Sequence, residues 1–319
     1  MKRILITGAS GFIGGFLVRA ALERKYEVWA GVRKGSDLSG LADPRIHLID
    51  LAYTDKEKLK EQFREQKENI GAWDYVIHNA GITKTNNKAN FFRVNAGYTE
   101  TLTEALQAAD CSPSKFLLMS SLSSQGADTL YGASKQAAEE TLRKQNAFPY
   151  VILRPTGVYG PGEKDYYLSI KAVQGGLNVL AGFSPQCITF IYVEDLSNVA
   201  FLALENEKSI NCEYAVSDGD TYKDYEYTRL IQELLGKKHV LNLRVPLFVT
   251  WLACFFSEMV GRCLKRSMTL NTDKYKILRR RDWTCDTRSL REDLGFVARF
   301  PLRAGLEKTI NWYRKAGWL

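Results

Sequence analysis

The chain has 319 residues, 45% hydrophobic and 25% charged, with a formal charge of +8. That length exceeds a typical single core and fits one large α/β unit with an added lobe, or two domains. The basic balance admits nucleic acid, an anionic membrane surface or a phosphorylated ligand as partner. The one dense cluster, Arg279-Arg280-Arg281, reads as a solvated edge, and no nucleic-acid-binding motif accompanies it. Six scattered cysteines without a C-x-x-C pair point to reduced thiols and a cytoplasmic location. The isolated His47, His78 and His239 form no metal-ligand pattern, so no metal is expected. Met1-Lys2-Arg3 runs straight into the first apolar segment, without the h-region of a signal peptide.

Ile4-Leu5-Ile6 reads as a buried parallel strand. Thr7-Gly8-Ala9-Ser10-Gly11-Phe12-Ile13-Gly14 follows, and then Phe16, Leu17, Ala20, Ala21 and Leu22 at helical spacing. A strand, a glycine turn and a helix together suit a dinucleotide pyrophosphate. Glycines let the backbone approach the phosphates, and the helix N-terminus supplies free N–H groups. The spacing is Gly-x-x-Gly-x-x-Gly, a weak signal alone; the flanking elements and the N-terminal position assign Gly8, Ser10, Gly11, Phe12, Ile13 and Gly14 to a cofactor.

Tyr26 to Val32 reads as the second strand. Such units usually end it with an acid for the adenosine ribose hydroxyls. Here Arg33-Lys34 follows, and Asp37 lies too far along. A guanidinium and an ammonium at this point favour the 2′-phosphate of NADP over NAD; the plainer alternative is two loop charges. A third strand, Ile46 to Leu51, ends in Asp50-Leu51, an acid and an apolar side chain that can meet the adenine amino group and face. A charged helix runs from Asp55 to Gln66. The fourth strand, Tyr75 to His78, ends in Asn79-Ala80-Gly81, small residues that let backbone lie close to a cofactor. Asn95 sits inside the next helical stretch, where asparagine is mildly unfavourable, and is either a packing detail or a polar relay.

The fifth strand, Phe116 to Met119, runs into Ser120-Ser121-Leu122-Ser123-Ser124, and Tyr131-Gly132-Ala133-Ser134-Lys135 opens a helix. Tyr131 and Lys135 are four apart and share a face. An ammonium near a phenol stabilises the phenolate, which makes the tyrosine a usable acid or base near neutral pH. The serine cluster and the upstream glycine turn favour this over a surface Tyr beside a surface Lys.

With Arg154-Pro155-Thr156-Gly157-Val158-Tyr159-Gly160-Pro161 and Phe190-Ile191-Tyr192-Val193-Glu194-Asp195 in the same order, the chain resembles the extended short-chain dehydrogenase/reductase superfamily, also called the NAD-dependent epimerase/dehydratase family. Trp283 to Asp286 and Thr309 to Tyr313 look similar too, so the resemblance covers nearly the whole chain. It implies an α/β fold: a Rossmann doubly wound parallel sheet with a smaller C-terminal α/β substrate lobe. It also implies roles. Tyr131 would be the general acid/base, and Lys135 would hold the nicotinamide ribose and tune it. Ser121 would hydrogen-bond the reacting oxygen, with Ser120 and Ser123 as fallbacks. Asn95 would match the helical Asn near the lysine, and Pro155 and Val158 would lie beside the nicotinamide. Members often pair through two helices, so a homodimer is possible.

Two departures narrow the substrate. Only ten positions separate Ser121 from Tyr131, which trims one wall of the site. Gly157 stands where many nucleotide-sugar members have Asn, and the Thr-Asp-Glu triplet of the sugar 4,6-dehydratases is replaced by Ser121-Leu122-Ser123, so elimination is not expected.

Residues 1–161, with 189–217 returning, are assigned to the cofactor domain; 162–188 and 218–319 form mainly the substrate lobe. Residues 162–188 read as loops with one short helix. Thr189 to Val193 is a strand, Asp195 a helix cap, and Glu213 to Val216 a strand. A helix runs from Tyr225 to Leu235, and a strand from Val240 to Val245. Leu247 to Val260 is the most hydrophobic stretch. It is too short for a bilayer, which needs ~20 apolar residues, and Glu258 interrupts it. It reads as a lobe helix lining an apolar substrate pocket or a partner face, ahead of membrane attachment.

The leading expectation is an NADP(H)-dependent oxidoreductase exchanging a hydride with a carbonyl or alcohol of a small molecule; the C-terminal apolar segment is similar to that of sterol and dihydroflavonol-type reductases. The alternatives are a nucleotide-sugar epimerase with tightly bound NAD, and a cofactor-binding sensor without turnover.

Overall fold

The computed structural model describes residues 1–126, 128–145, 147–264 and 268–319. Seven strands form one parallel sheet in the order β11-β6-β5-β4-β1-β2-β3. They are β1 (Arg3–Thr7), β2 (Glu27–Val32), β3 (Ile46–Asp50), β4 (Tyr75–His78), β5 (Lys115–Met119), β6 (Tyr150–Pro155) and β11 (Cys212–Val216). Alternate side chains serve two cores, as a parallel sheet covered on both faces requires. Ile4, Ile6, Val28, Ala30, Ile77, Leu117 and Leu153 pack against α1 (Phe12–Glu23), α7 (Val193–Glu205) and α11 (Arg288–Leu294). Leu5, Trp29, Val76, Phe116, Leu118 and Ile152 pack the other way. They meet α2 (Lys56–Ile70), α4 (Tyr98–Ala108) and α5 (Leu130–Lys144). The order reverses between β1 and β4, so a crevice opens at the carboxyl ends of the strands there.

The segment expected as loops with one short helix holds more structure. After β7 (Gly157–Tyr159) it contains α6 (Asp165–Gln174), β8 (Leu177–Ala181) and β9 (Cys187–Ile188), and β10 (Phe190–Tyr192) follows. The strands escape a sequence reading because their partners are remote: β8 pairs with β13 (Leu241–Val245), and β9 with β12 (Tyr222–Lys223) and β14 (Asp282–Trp283). The helices α8 (Asp224–Leu235), α9 (Leu247–Cys263), α10 (Thr272–Arg279) and α12 (Leu302–Lys315) complete this part. Tyr159, Phe190, Tyr192, Tyr227, Ile231, Leu306 and Tyr313 form a third, tyrosine-rich core.

Three expectations are corrected. Asp195 does not cap α7, which starts at Val193. Its fully buried carboxylate accepts the N–H groups of Arg299 (3.0 Å) and Phe300 (2.9 Å), tying the C-terminal segment to α7. Arg280 and Arg281 are not a solvated edge. Arg281 Nη1 donates to the carbonyls of Ala181 and Ser184, both at 2.8 Å, and Arg280 Nε donates to that of Asp282 at 2.7 Å with its guanidinium over the Trp283 ring. In α9 the large apolar side chains do not line a pocket: Cys254 and Gly261 are its buried residues. Glu258, which breaks the apolar run, accepts the N–H (3.0 Å) and hydroxyl (2.6 Å) of Thr272 at the start of α10.

Candidate active site

The glycine turn leaves β1 at Gly8, whose φ is +65°, and delivers the chain to α1 at Gly11. A Cβ on Gly8 would lie 2.9 Å from the Ala80 backbone, and one on Gly14 would lie 2.1 Å from the Gly8 carbonyl oxygen. The turn, the end of β4 and the first turn of α1 therefore close on one another only without side chains. Gly11 offers no side-chain cap, so the first N–H groups of α1 are left for a ligand.

Thr7 fastens this turn to β4. Its Oγ1 accepts the N–H groups of Asn79 and Ala80, both at 3.1 Å, so its own proton goes to His78 Nδ1 at 2.8 Å. His78 then carries its proton on Nε2. Burial, with Lys135 nearby, pushes its pKa down to about 3, so the ring is neutral.

The resulting cleft, of about 410 Å³, is lined by Gly8, Ser10, Gly11, Phe12, Ile13, Arg33, Asn79, Ala80, Gly81, Tyr131 and Lys135, all singled out by sequence. Lys34 is exposed and lies outside the lining; Arg33 alone of the pair faces it. Asp50 and Leu51 are also outside. Asp50 is exposed, and Leu51 is buried with its Cδ1 3.2 Å from where a Gly31 Cβ would be. Tyr53, further along the chain, does line the cleft. It stacks on Tyr98 with centroids 4.5 Å apart, and its buried hydroxyl has no protein partner. Two tyrosines that meet only through tertiary packing carry no short-range signal. Gly14 serves the helix–strand contact, and Pro155 and Val158 line a neighbouring cavity of about 500 Å³.

Asn95 lies in a π-helical turn, Arg93–Gly97, between α3 (Ala89–Phe92) and α4. Such turns are frequent at functional sites. Its Oδ1 accepts the Ile82 N–H (2.8 Å), and its Nδ2 donates to the Ile82 carbonyl (3.0 Å) and to Ser134 Oγ (2.9 Å). The Ser134 hydroxyl donates to the Tyr131 carbonyl at 2.7 Å. Of the two possibilities left open by the sequence, the geometry is that of a relay joining the loop after β4 to the helix of Tyr131 and Lys135.

The serines sort themselves. Ser120 and Ser124 donate to the buried Glu139, at 2.5 and 2.7 Å, and Glu139 also binds Arg154 and Arg143. Burial works against the Glu139 carboxylate, but the bonds from Arg154, Ser120 and Ser124 prevail and hold its pKa below the usual value. Ser121 faces the 500 Å³ cavity, and Ser123 is shared with a smaller one of about 160 Å³ that Tyr131 also lines. Gly132 permits this: a Cβ there would be 2.2 Å from the Ser123 carbonyl oxygen, so only glycine lets the serine turn reach α5.

Tyr131 lines both the 410 Å³ cleft and the 160 Å³ cavity. Burial raises its pKa, and the Ser121 hydroxyl pulls it back. Lys135 Nζ donates to the Met119 carbonyl at 2.7 Å; burial lowers its pKa to about 8, with Glu139 opposing. Glu163 and Asp165 border both the cleft and the larger cavity, and Asp165 is paired with Lys84. Among the described residues no group of three or more His, Cys, Asp or Glu could hold a metal.

Fold and site define an enzyme that works with a nicotinamide dinucleotide, of the short-chain oxidoreductase and epimerase type. A model of the NAD dependent epimerase/dehydratase family matches residues 4–216, and the chain belongs to that family. Over 322 residues it is 28% identical to a ceramide reductase of Caulobacter vibrioides, covering 99% of this chain and 96% of that protein. It is 27% identical over 285 residues to a UDP-glucose 4-epimerase of Vibrio cholerae, covering 82% and 83%. The crystal structure of the Bordetella bronchiseptica enzyme WbmG in complex with NAD shares its fold, with TM-score 0.76 at 20% identity, covering 99% of this chain and 94% of that one.

Proposed function

We propose that this protein is an NADP(H)-dependent reductase of a ketone on an amphiphilic small molecule. The observation that carries the reading is the position of Tyr131 on the boundary between the glycine-floored cleft and the cavities beyond it. The cleft fits a dinucleotide: Gly8 in its floor has no room for a Cβ, Gly11, Phe12 and Ile13 at the start of α1 line it with no side-chain cap on the helix, and Tyr53 lines it too. Gly8, Ser10, Gly11, Phe12 and Ile13 would hold the pyrophosphate, and Arg33, the basic side chain at the end of β2, would hold a 2′-phosphate. The bound nicotinamide supplies or accepts the hydride.

The chain's own groups handle the oxygen. Ser121 hydrogen-bonds the substrate oxygen, and Tyr131 gives that oxygen its proton in reduction or takes it in oxidation. Burial keeps the Tyr131 phenol protonated at neutral pH, the correct state for a proton donor. Lys135, held by the Met119 carbonyl, places a positive charge beside the nicotinamide end of the cleft and opposes the negative charge that develops on the phenol. Asn95 positions rather than reacts.

The substrate class rests on the larger cavity, where Pro155, Val158, Leu180, Ile188, Phe190, Ile277 and Trp283 give a mainly apolar lining, and on the ceramide reductase relative. Gly157 and the ten-position gap after Ser121 weigh against a sugar nucleotide. The test is Tyr131→Phe with NADPH and a long-chain ketone. Hydride transfer should fall about 10²–10⁴-fold while NADPH binding, read by fluorescence, persists. Retained turnover would falsify the role. Release of tightly bound NAD from the purified wild type, with no NADPH consumption, would favour the epimerase reading instead.

A further inference from the structure

Helix α9 is built inside out. Its inward residues, Leu247, Thr250, Cys254, Ser257, Glu258 and Gly261, are mostly small or polar. Its large apolar residues face away from the protein: Phe248 is 66% exposed, Trp251 42%, Phe255 42%, Phe256 53% and Met259 47%. A helix packed on a globular protein in water has the reverse arrangement. Trp251 and Phe255, one turn apart, stack on each other with centroids at 5.5 Å.

The adjoining ribbon repeats the inversion. In β8 and β13, Leu177 pairs with Leu241 and Val179 with Leu243, and all four are exposed. Asn178, between them, is buried and donates to Asn242 at 2.8 Å. Pro246 alone separates β13 from α9, and Phe183, 71% exposed, follows Gly182, which packs beside Leu247. Ribbon, loop and helix, which adjoin in the fold, therefore all turn large apolar side chains to the outside, as sites of protein or membrane contact do.

The charge distribution selects what covers it. Residues 237–281 contain 11 Lys and Arg against 2 Asp and Glu, whereas the rest of the chain contains 33 against 34. The net positive charge of the protein is thus confined to the segment that carries α9. Lys237 and Lys238 are exposed before β13, and the Arg281 guanidinium lies 3.2 Å from a Gly182 Cβ position, beside Leu247. The bonds made by Arg280 and Arg281 to backbone carbonyls leave their charge uncancelled. A second copy would bring the same excess charge against itself. An apolar face carrying Trp and Phe on the chain's basic segment matches the boundary between anionic headgroups and acyl chains.

We propose that this face docks the protein on an anionic bilayer surface, with α9 lying in the plane of the interface. None of the described helices is long and apolar enough to cross a membrane, so the attachment is to one leaflet. The inward side of α9 supplies Glu258 and Gly261 to the cavity beside Tyr131, so the helix stands between that cavity and the proposed lipid face. The docking does not depend on the reaction proposed above, and its test involves no turnover.

The experiment is co-sedimentation of the full chain with phosphatidylcholine vesicles, with and without phosphatidylglycerol. Binding is expected to the anionic vesicles and to weaken as salt is raised. Brominated acyl chains should quench tryptophan fluorescence in the wild type, and Trp251→Phe should remove much of that quenching. The double substitution Phe255→Ser with Phe256→Ser alters two outward side chains. It should keep the wild-type circular dichroism and lower partitioning roughly tenfold or more. A wild-type protein that stays in the supernatant with anionic vesicles overturns the proposal. So does vesicle binding unaffected by the double substitution. A dimer in light scattering that the double substitution abolishes, with no vesicle binding, would assign the face to a second copy.

Discussion

Replacing Asn95 by alanine isolates the relay that holds the site together. The side chain is 1% exposed and makes three bonds, at 2.8, 3.0 and 2.9 Å, two of them to the backbone of Ile82. A typical bond contributes about 1 kcal/mol net, and a buried backbone group left without a partner costs about 1–3 kcal/mol. Partial access of water to the Ile82 loop reduces the second contribution, so Asn95→Ala should lose about 3 kcal/mol, or roughly 5–10 °C in thermal unfolding. The loop after β4 floors the cleft, and α5 carries Tyr131, so loss of their registry should lower kcat by about 10–100-fold with a smaller change in KM. Asn95→Asp is the informative companion. It keeps an acceptor for the Ile82 N–H but sets a second acceptor against the Ile82 carbonyl. The protonated acid restores the donor, so its folded pKa lies above the unfolded value of about 3.9. Its destabilisation is therefore absent below that unfolded value and grows as pH rises toward the folded pKa. Unfolding followed by circular dichroism across pH, with turnover followed by nicotinamide absorbance, measures both effects. An Asn95→Ala protein with wild-type unfolding temperature and kcat would refute the relay.

Arg33→Asp should move preference from NADPH toward NADH; unchanged relative affinities would remove Arg33 from the 2′-phosphate. Glu139→Ala takes one of two carboxylates from the nearly buried Arg154 guanidinium, which keeps Glu213, and removes the acceptor of two serine hydroxyls; it should cost about 3 kcal/mol in denaturant unfolding; a variant as stable as wild type would show that the cluster is not a stabilising anchor. The buried His78, with a folded pKa of about 3 against an unfolded value near 6.5, takes a proton more readily when unfolded. Stability is thus whole above pH 6.5 and lost as pH falls, by about 2 kcal/mol down to pH 5. His78→Gln should flatten that window, and an unchanged slope would point to another group.

The glycine turn, the alternating apolar strands and the spacing of Tyr131 and Lys135 were legible in the sequence because each is a local pattern; the acidic phenol expected of that spacing was not, since burial raises the Tyr131 pKa and the Lys135 ammonium bonds the Met119 carbonyl. Strand alternation, a tight turn and an i, i+4 pairing are fixed by backbone geometry within a few residues. The choice among the serines was not local: Ser120 and Ser124 are drawn to Glu139, which lies on the next helix, and that leaves Ser121 and Ser123 facing the cavities. The place of Tyr53 in the cleft lining depends on a stack with Tyr98, 45 residues further along the chain. The apolar content of residues 247–260 was plain from composition alone, but its outward direction was decided by Thr272. That residue engages Glu258 and turns the polar edge of α9 inward. A sequence fixes how much apolar surface a helix carries; the contacts that its few polar residues find elsewhere in the fold fix which way that surface faces.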